Sequence, residues 1–396
     1  MTDGYRVRME FSDGRQVVLG PASDSIAVAV RPPTFWRTIW IFLNPGLRAG
    51  ESFVRGDWTI ADGDLATFLK ITQVRRKGLY VRLYQRVADF RGPLFYLRQH
   101  LLPRWRQRAP SEHYEEGNEL YTRMLDSSEQ YSCAFFSLSS DQNLEAAQQV
   151  KLTVSIERLR LSTGRLRVLD IGCGCGALAA EIAKLPNSHN VTAITLSRGQ
   201  LDRALIRRSI LDTSVQQRLN YSLVDYRTFL GRHNVSFDRI ISVGMFEHVG
   251  PHRHADFFRS VEGGLRPGGR ALIHSIVKPS PGAYNEWMRR HIFPGSFLPS
   301  VAELIGAAEK SGLIVDAVHI HPPSDYRKTI QAWRKRLDGA WPELQRNDPE
   351  KFDARSERKW TFYLAGVETI FTEDLMNCRI AQVELRKLDG SINLAE

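Results

Sequence analysis

The residues with the plainest chemical purpose lie in the stretch 167–184, Arg-Val-Leu-Asp-Ile-Gly-Cys-Gly-Cys-Gly-Ala-Leu-Ala-Ala-Glu-Ile-Ala-Lys. Val168, Leu169 and Ile171 make the apolar run of a strand covered on both faces, and Leu178, Ile182 and Leu185 fall at helical spacing on one side. Between them stand Gly172, Gly174 and Gly176. Glycines at such a turn allow backbone conformations closed to other residues, and they let a ligand approach the main chain beside the positive end of a helix. A nucleotide-like cofactor fits there. The spacing is Gly-x-Gly-x-Gly followed by Ala177, and the next strand, 190–196, runs into Thr195-Leu196-Ser197 where a dinucleotide fold carries a ribose-binding carboxylate. That speaks against NAD.

The elements that position this turn follow one rhythm. A helix over 144–159 leads into it, and apolar strands at 168–171, 191–196, 219–224, 239–243 and 271–277 alternate with helical segments. The fold class is therefore α/β, with a doubly wound, mostly parallel sheet. Ligands in such sheets sit beyond the carboxyl ends of the strands, where Asp170, Thr195, Asp225, Glu247 and His274 are expected to converge on one crevice. Taken singly, Glu247 reads as a helix-start carboxylate and His274 as a core histidine. His248, His252 and His254 with Glu247 match no zinc spacing, so no metal site is expected. Ser197 and Gln200 spell a helix capping box, which gives Gln200 a structural reading beside any ligand role.

At 396 residues with a net charge of +10, the chain is long enough for more than one domain. Its four cysteines, Cys133, Cys173, Cys175 and Cys378, form no Cys-x-x-Cys pair, so reduced thiols and a cytoplasmic setting are expected. The most apolar window, 35–43, is too short to span a membrane and is broken by Arg37, and the first residues carry no apolar signal core. Residues 5–19 alternate like two strands about a turn at Asp13-Gly14, the start of a smaller α+β domain. From Arg75 to Arg108 ten Lys or Arg residues face a single acidic one, Asp89, among Tyr80, Tyr84, Phe90, Phe95, Tyr96 and Trp105. Such a stretch suits an anionic membrane surface, and it also suits nucleic acid or a solvated connector. A polar linker at 109–118 places the domain boundary there, giving 1–108 as a lipid-associating domain and 109–396 as a catalytic one.

Further motifs carry a resemblance. Tyr131-Ser-Cys-Ala134, Asp170-Ile-Gly-Cys-Gly174, Asp225-Tyr-Arg227, Phe237-Asp-Arg-Ile-Ile-Ser-Val-Gly-Met-Phe-Glu-His-Val-Gly250, Leu265-Arg-Pro-Gly-Gly269, His291-Ile-Phe-Pro294 and Leu298-Pro-Ser300 stand in order. From about Tyr114 to the C-terminal helices the chain resembles the cyclopropane fatty acid synthase family of S-adenosylmethionine-dependent methyltransferases. More loosely, the N-terminal region resembles the extra domain of the bacterial phospholipid-acting members. The resemblance implies a class I methyltransferase-like fold and methyl transfer to the cis double bond of a phospholipid acyl chain. It implies that Tyr131, Ser132, Gly172, Gly174, Thr195, Leu196, Gln200, Tyr226 and Arg227 surround S-adenosylmethionine, with Asp225 near the adenine. It further implies a bicarbonate that assists deprotonation and ring closure, held by Cys133, Glu247, His274, Ile276 through its backbone, and Tyr326.

The same resemblance suggests a homodimer, peripheral to the inner face of the membrane, with no nucleic-acid partner. Phe293, Phe297, Leu298, Trp333, Trp360, Phe362, Tyr363 and Leu364 are apolar enough to line an acyl tunnel, and an ordinary core explains them equally well. Where the family pattern carries tryptophan and a pair of glycines after the turn, this chain has Cys175-Gly176-Ala177. That departure keeps open methyl transfer without ring closure, giving a methylene or methyl-branched chain. Methylation of a soluble small molecule, which the basic aromatic segment disfavours, and a lipid-binding protein without catalysis are the further alternatives.

Overall fold

A computed structural model describes residues 6–20, 25–74, 118–161, 164–231, 236–283, 285–372 and 377–389. The basic segment 75–108 and the linker up to residue 117 lie outside the described residues. Contacts divide the chain into two compact units, and neither is contiguous: one comprises 1–109, 285–294 and 341–376, the other 110–284, 295–340 and 377–396. The expected division at residue 108 thus differs from the packing, because two distal segments complete the core of the N-terminal unit.

In that unit the strands β1 (Arg6–Glu10), β2 (Gln16–Leu19), β3 (Ile26–Arg31) and β4 (Thr59–Asp62) form a sheet in the order β2-β1-β3-β4. Helices α1 (Phe35–Leu43), α2 (Pro45–Arg55) and α3 (Leu65–Val74) accompany it. The buried side of α2 presents Leu47, Gly50, Phe53 and Val54, too little to close a core alone. Its cover comes from Trp287 and from Phe362 on the helix Ala354–Ile370, whose ring lies 5.6 Å from that of Phe53. A Cβ on Gly50 would sit 2.6 Å from the Trp287 side chain and 2.7 Å from Phe362, so the small residue is required by the close fit. Trp360, Tyr363, Leu364 and Phe293 also belong to this unit, whereas Phe297, Leu298 and Trp333 belong to the other. The residues expected to line one acyl tunnel are therefore divided between two units.

The larger unit is built on a seven-stranded sheet. Its strands are β5 (Arg167–Ile171), β6 (Asn190–Thr195), β7 (Leu219–Leu223), β8 (Phe237–Val243) and β9 (Leu265–Val277), all parallel, with β13 (Arg379–Lys387) antiparallel beside β9 and β12 (Leu313–His321) antiparallel to β13 at the edge; β10 (Gly282–Ala283) and β11 (Phe297–Leu298) pair separately. The order is β12-β13-β9-β8-β5-β6-β7. The final strand of the chain, β13, lies between β9 and an edge strand, β12, that the apolar pattern did not announce.

Around the sheet run α4 (Asn118–Met124), α5 (Leu144–Arg158), α6 (Ala177–Lys184), α7 (Arg198–Ser209), α8 (Thr213–Gln216), α9 (Tyr226–Leu230), α10 (His254–Gly264), α11 (Val301–Glu309) and α12 (Pro323–Asn347), the last belonging to this unit through residue 340. Alternate strand residues feed opposite faces. Leu169, Ile240 and Ile273 join Phe246, Phe257 and Phe258 on one side, while Val168, Ile241 and Leu272 join Leu152, Leu178 and Ile182 on the other. The sheet is covered on both faces, as a doubly wound α/β fold requires.

Candidate active site

The glycine turn joins β5 to α6, and its three glycines serve different ends. Gly172 has φ 79° and a Cβ there would come within 2.7 Å of the Met245 side chain; Gly176 has φ 81° and would come within 2.6 Å of the Tyr221 ring. Both are fixed by internal packing and left-handed backbone. Gly174 also has a positive φ, 55°, but nothing lies within 4 Å of its missing Cβ, so this is the glycine that leaves room for a ligand.

A pocket opens there. It is lined by Tyr121, Leu125, Glu129, Gln130, Tyr131, Ser132, Asp170, Gly172, Cys173, Gly174, Cys175, Leu178, Gln200, Arg203, Val243 and Gly244. Of the ten residues expected around a cofactor, Tyr131, Ser132, Gly172, Gly174 and Gln200 are in this lining. Thr195 stands behind it, its hydroxyl donating to Gln200 Oε1 at 2.9 Å. That bond takes the Gln200 carbonyl, so the capping box is half made: Ser197 Oγ accepts from the Gln200 N–H at 3.3 Å, and the side chain of Gln200 turns to the pocket instead. Leu196 is half exposed. Asp225, Tyr226 and Arg227 do not line the pocket. Asp225 caps α9, accepting from the Arg227 N–H at 2.8 Å, and its carboxylate grips the Arg227 guanidinium at 2.8 and 2.5 Å. Burial works to raise the Asp225 pKa, but these bonds outweigh it and hold the carboxyl below its usual range.

Asp170, at the end of β5, was expected only as one of the strand-end residues. Its Oδ2 is buried in the pocket wall with no hydrogen-bond partner, and burial raises its pKa to about 7. A bare buried acceptor of this kind marks a place for a cationic or N–H group.

The residues expected for deprotonation lie on β9 or against it: His274 and Ile276 stand on the strand, Glu247 bonds the Ile276 backbone, and Cys133 and Tyr326 pack with the Ile276 side chain. Parallel pairing of β8 with β9 sets Val243 opposite His274, and the short turn Phe246–His248 after β8 carries Glu247 back over β9, where its Oε1 accepts from the Ile276 N–H at 2.5 Å. The backbone donor of Ile276 is thereby taken by Glu247. Glu247 is 5 % exposed, its Oε2 has no hydrogen-bond partner, and burial lifts its pKa to about 7 against the bonds that lower it. From the other side α12 fixes the 133–137 segment. Asp325 accepts from the N–H and hydroxyl of Ser137, both at 2.7 Å, and Thr329 Oγ1 accepts from the Ala134 N–H at 3.0 Å. Tyr326, on the same helix, then packs with Ile276 against a buried cluster of Cys133, Phe135 and Ile380. Burial pushes the Cys133 thiol well up, so it stays protonated.

Helix α5 links the two places. Gln148, Lys151, Ser155 and Arg158 follow one another at spacings of three and four, on the side of the helix that also buries Leu144, Ala147 and Leu152. Gln148 Nε2 donates to the carbonyls of Gln130 (3.3 Å) and Ser132 (3.0 Å), and Lys151 Nζ to Gln130 Oε1 (2.6 Å) and Ser132 Oγ (2.8 Å). Ser155 donates to the Lys151 carbonyl at 2.7 Å and accepts from Gln382 Nε2 at 3.0 Å. Gln382 in turn accepts from Arg158 through Oε1 and faces His274 Nδ1 through Nε2 at 3.2 Å. Arginine can only donate, so the Gln382 oxygen must face it and the amide N–H must face His274. Nδ1 of His274 is then the acceptor and Nε2 carries the proton. Burial, followed by the nearby charges of Lys151, His321 and Arg158, holds the imidazole neutral. No sequence motif marked this strip, although polar residues at core-facing helical positions are its signal.

The family described as mycolic acid cyclopropane synthetase matches residues 103–381, well over half of the chain. The chain belongs to that family. It is accordingly an S-adenosylmethionine-dependent methyltransferase. It is 34 % identical over 365 residues to the cyclopropane-fatty-acyl-phospholipid synthase of Escherichia coli, covering 91 % of this chain and 88 % of that protein. It is 28 % identical over 389 residues to a tuberculostearic acid methyltransferase of Mycobacterium tuberculosis, covering 92 % and 84 %. Among solved structures, a cyclopropane synthase of M. tuberculosis superposes with a TM-score of 0.61 at 27 % identity, covering 70 % of this chain and 96 % of its own.

Proposed function

We propose that the protein transfers the methyl group of S-adenosylmethionine to the cis double bond of phospholipid acyl chains and closes a cyclopropane ring. The observation that carries this reading is the buried carboxyl of Glu247, tied to the Ile276 N–H through one oxygen and bare at the other. S-adenosylmethionine supplies an electrophilic methyl group. For it, Gly174 leaves space, Asp170 offers a bare acceptor, and Tyr131, Ser132 and Gln200 complete the walls. An alkene is a weak nucleophile, so aim and exclusion of water matter most, and the apolar packing of Phe135, Ile276 and Ile380 keeps the neighbourhood of Cys133 dry.

Ring closure needs a proton removed from the newly added methyl group. Bicarbonate would supply the base, held by Cys133, Glu247, His274 and Tyr326. The donor set suits a small oxyanion: a protonated thiol, an imidazole with its proton on Nε2, and a carboxyl that is partly protonated near neutral pH. Glu247 already holds the Ile276 N–H, so in this reading Ile276 acts by fixing Glu247.

Contact with the membrane surface is supported by α1, where Phe35, Trp36 and Leu43 are 71, 77 and 66 % exposed. The Arg48 and Arg55 guanidinium groups lie 4.9 and 4.5 Å from the Trp40 ring on the same helix, an arrangement of apolar and cationic groups suited to a headgroup layer. No helix among the described residues is long and apolar enough to cross a membrane.

A second reading, methyl transfer without ring closure, is favoured by the Cys175-Gly176-Ala177 departure and by the similarity to a tuberculostearic acid methyltransferase over 92 % of this chain. One experiment decides between them. Purified protein is incubated with S-adenosylmethionine and liposomes of mono-unsaturated phospholipid, and the fatty acids are identified by gas chromatography and mass spectrometry after double-bond derivatisation. A saturated ring product supports synthesis of cyclopropanes. A product of equal mass that retains a double bond supports the second reading, and no modified chain at all overturns both.

A further inference from the structure

The pocket is backed by a buried cation that methyl transfer itself does not require. Lys151 is 1 % exposed and forms no ion pair among the described residues. Asp126, the carboxylate that most favours its charge, already accepts from the N–H groups of Ser128 and Gln130, both at 2.9 Å. A buried lysine without a paired anion is expensive and calls for a reason.

The hydrogen bonds supply one. An ammonium can only donate, so Ser132 Oγ and Gln130 Oε1 are both acceptors towards Lys151. The Ser132 hydroxyl proton and the Gln130 amide N–H groups are left over, with no acceptor among the described residues, and both residues line the pocket. Another part of the same wall holds the bare Oδ2 of Asp170. Two donors backed by a positive charge, together with one bare carboxylate, complement a zwitterion. S-adenosylmethionine carries one at its amino-acid end. Resting on the reading of the pocket as its site, we propose that Lys151 is a positioning residue for the cofactor carboxylate: it turns the Ser132 hydroxyl and the Gln130 amide into donors aimed at the pocket, and its charge answers the carboxylate. Gln148, one turn earlier on α5, holds the same two residues by their carbonyls, so one helix face sets both backbone and side chains. Burial brings the Lys151 pKa down to about 8, which leaves the charge in place at neutral pH and removes it in alkali.

The test compares two probes by calorimetry: S-adenosylhomocysteine, and its decarboxylated analogue, which keeps the amine and the adenosine. In the unaltered protein the carboxylate should improve binding at pH 7 by tenfold or more. Lys151→Met, close in shape and uncharged, should collapse that ratio below threefold while the analogue binds as before, and Ser132→Ala should do the same in part. A merely structural lysine would weaken both probes equally, and that result, or an unchanged ratio, overturns the inference while leaving the cofactor reading intact. Should Lys151→Met fail to fold, the unaltered protein decides: the ratio must fall between pH 7 and 8.5, where both probe amines remain largely protonated, and a flat ratio over that window overturns the inference. If the unaltered protein binds neither probe, the cofactor reading falls and this inference with it.

Discussion

Replacing Glu247 with glutamine should separate the stability of the protein from its chemistry. The amide oxygen can still accept from the Ile276 N–H, while the bare Oε2 becomes a neutral NH2 group. Glu247 has its pKa moved from 4.5 to about 7 by burial. The folded protein therefore holds this proton more tightly than the unfolded chain. The resulting stability is fully present below pH 4.5 and is lost as pH rises to and through 7. At about 1.4 kcal/mol for each tenfold change in proton affinity, the destabilisation at pH 8.5 approaches about 3 kcal/mol. The Glu247→Gln variant has no proton to lose at this position and escapes it. Denaturant titrations of both proteins in bicarbonate-free buffer should show the variant equal to or slightly below the parent at pH 4.5. By pH 8.5 the difference should have moved by about 3 kcal/mol in the variant's favour, with any contribution from Asp170 cancelling. Ring product should meanwhile be lost. A stability difference that is the same at both pH values would refute the assignment of a buried, proton-holding Glu247.

Three other outcomes follow from the geometry. Gln382→Glu keeps an acceptor for Arg158 but removes the donor to His274 Nδ1, so modified lipid should fall at least tenfold with S-adenosylhomocysteine affinity unchanged; imidazole nitrogen shifts should report the loss of the single tautomer. Gly174→Ala should weaken cofactor binding far more than stability, which drops by about 1–2 kcal/mol from left-handed strain, because its Cβ enters open pocket; Gly176→Ala should do the reverse, since its Cβ meets Tyr221. Calorimetric affinity and thermal midpoints for the two variants distinguish these effects. Finally, serine at both Phe35 and Trp36 should lower binding to anionic phospholipid vesicles severalfold in a flotation assay while leaving the secondary structure intact; unchanged binding would remove α1 from the membrane surface.

Local order in the chain was enough for much of the catalytic unit. The strand, glycine turn and helix over 167–184 follow from an apolar run, three glycines and a 3.6-residue repeat, and the parallel strands that follow obey the same signal, because covered strands and amphipathic helices each write their period into consecutive residues. Ordered motifs likewise pointed to the pocket lining of Tyr131, Ser132, Gly172, Gly174 and Gln200. Tertiary structure decided the rest. The core of the first unit takes Trp287 and Phe362 from more than two hundred residues away, β13 inserts beside β9, and the strip of Gln148, Lys151, Ser155 and Arg158 acquires meaning only when Gln130, Ser132 and Gln382 arrive to meet it. Whether a polar side chain is solvated, a cap or a buried charge depends on which distant donors and acceptors surround it after folding, and no period along the chain encodes that.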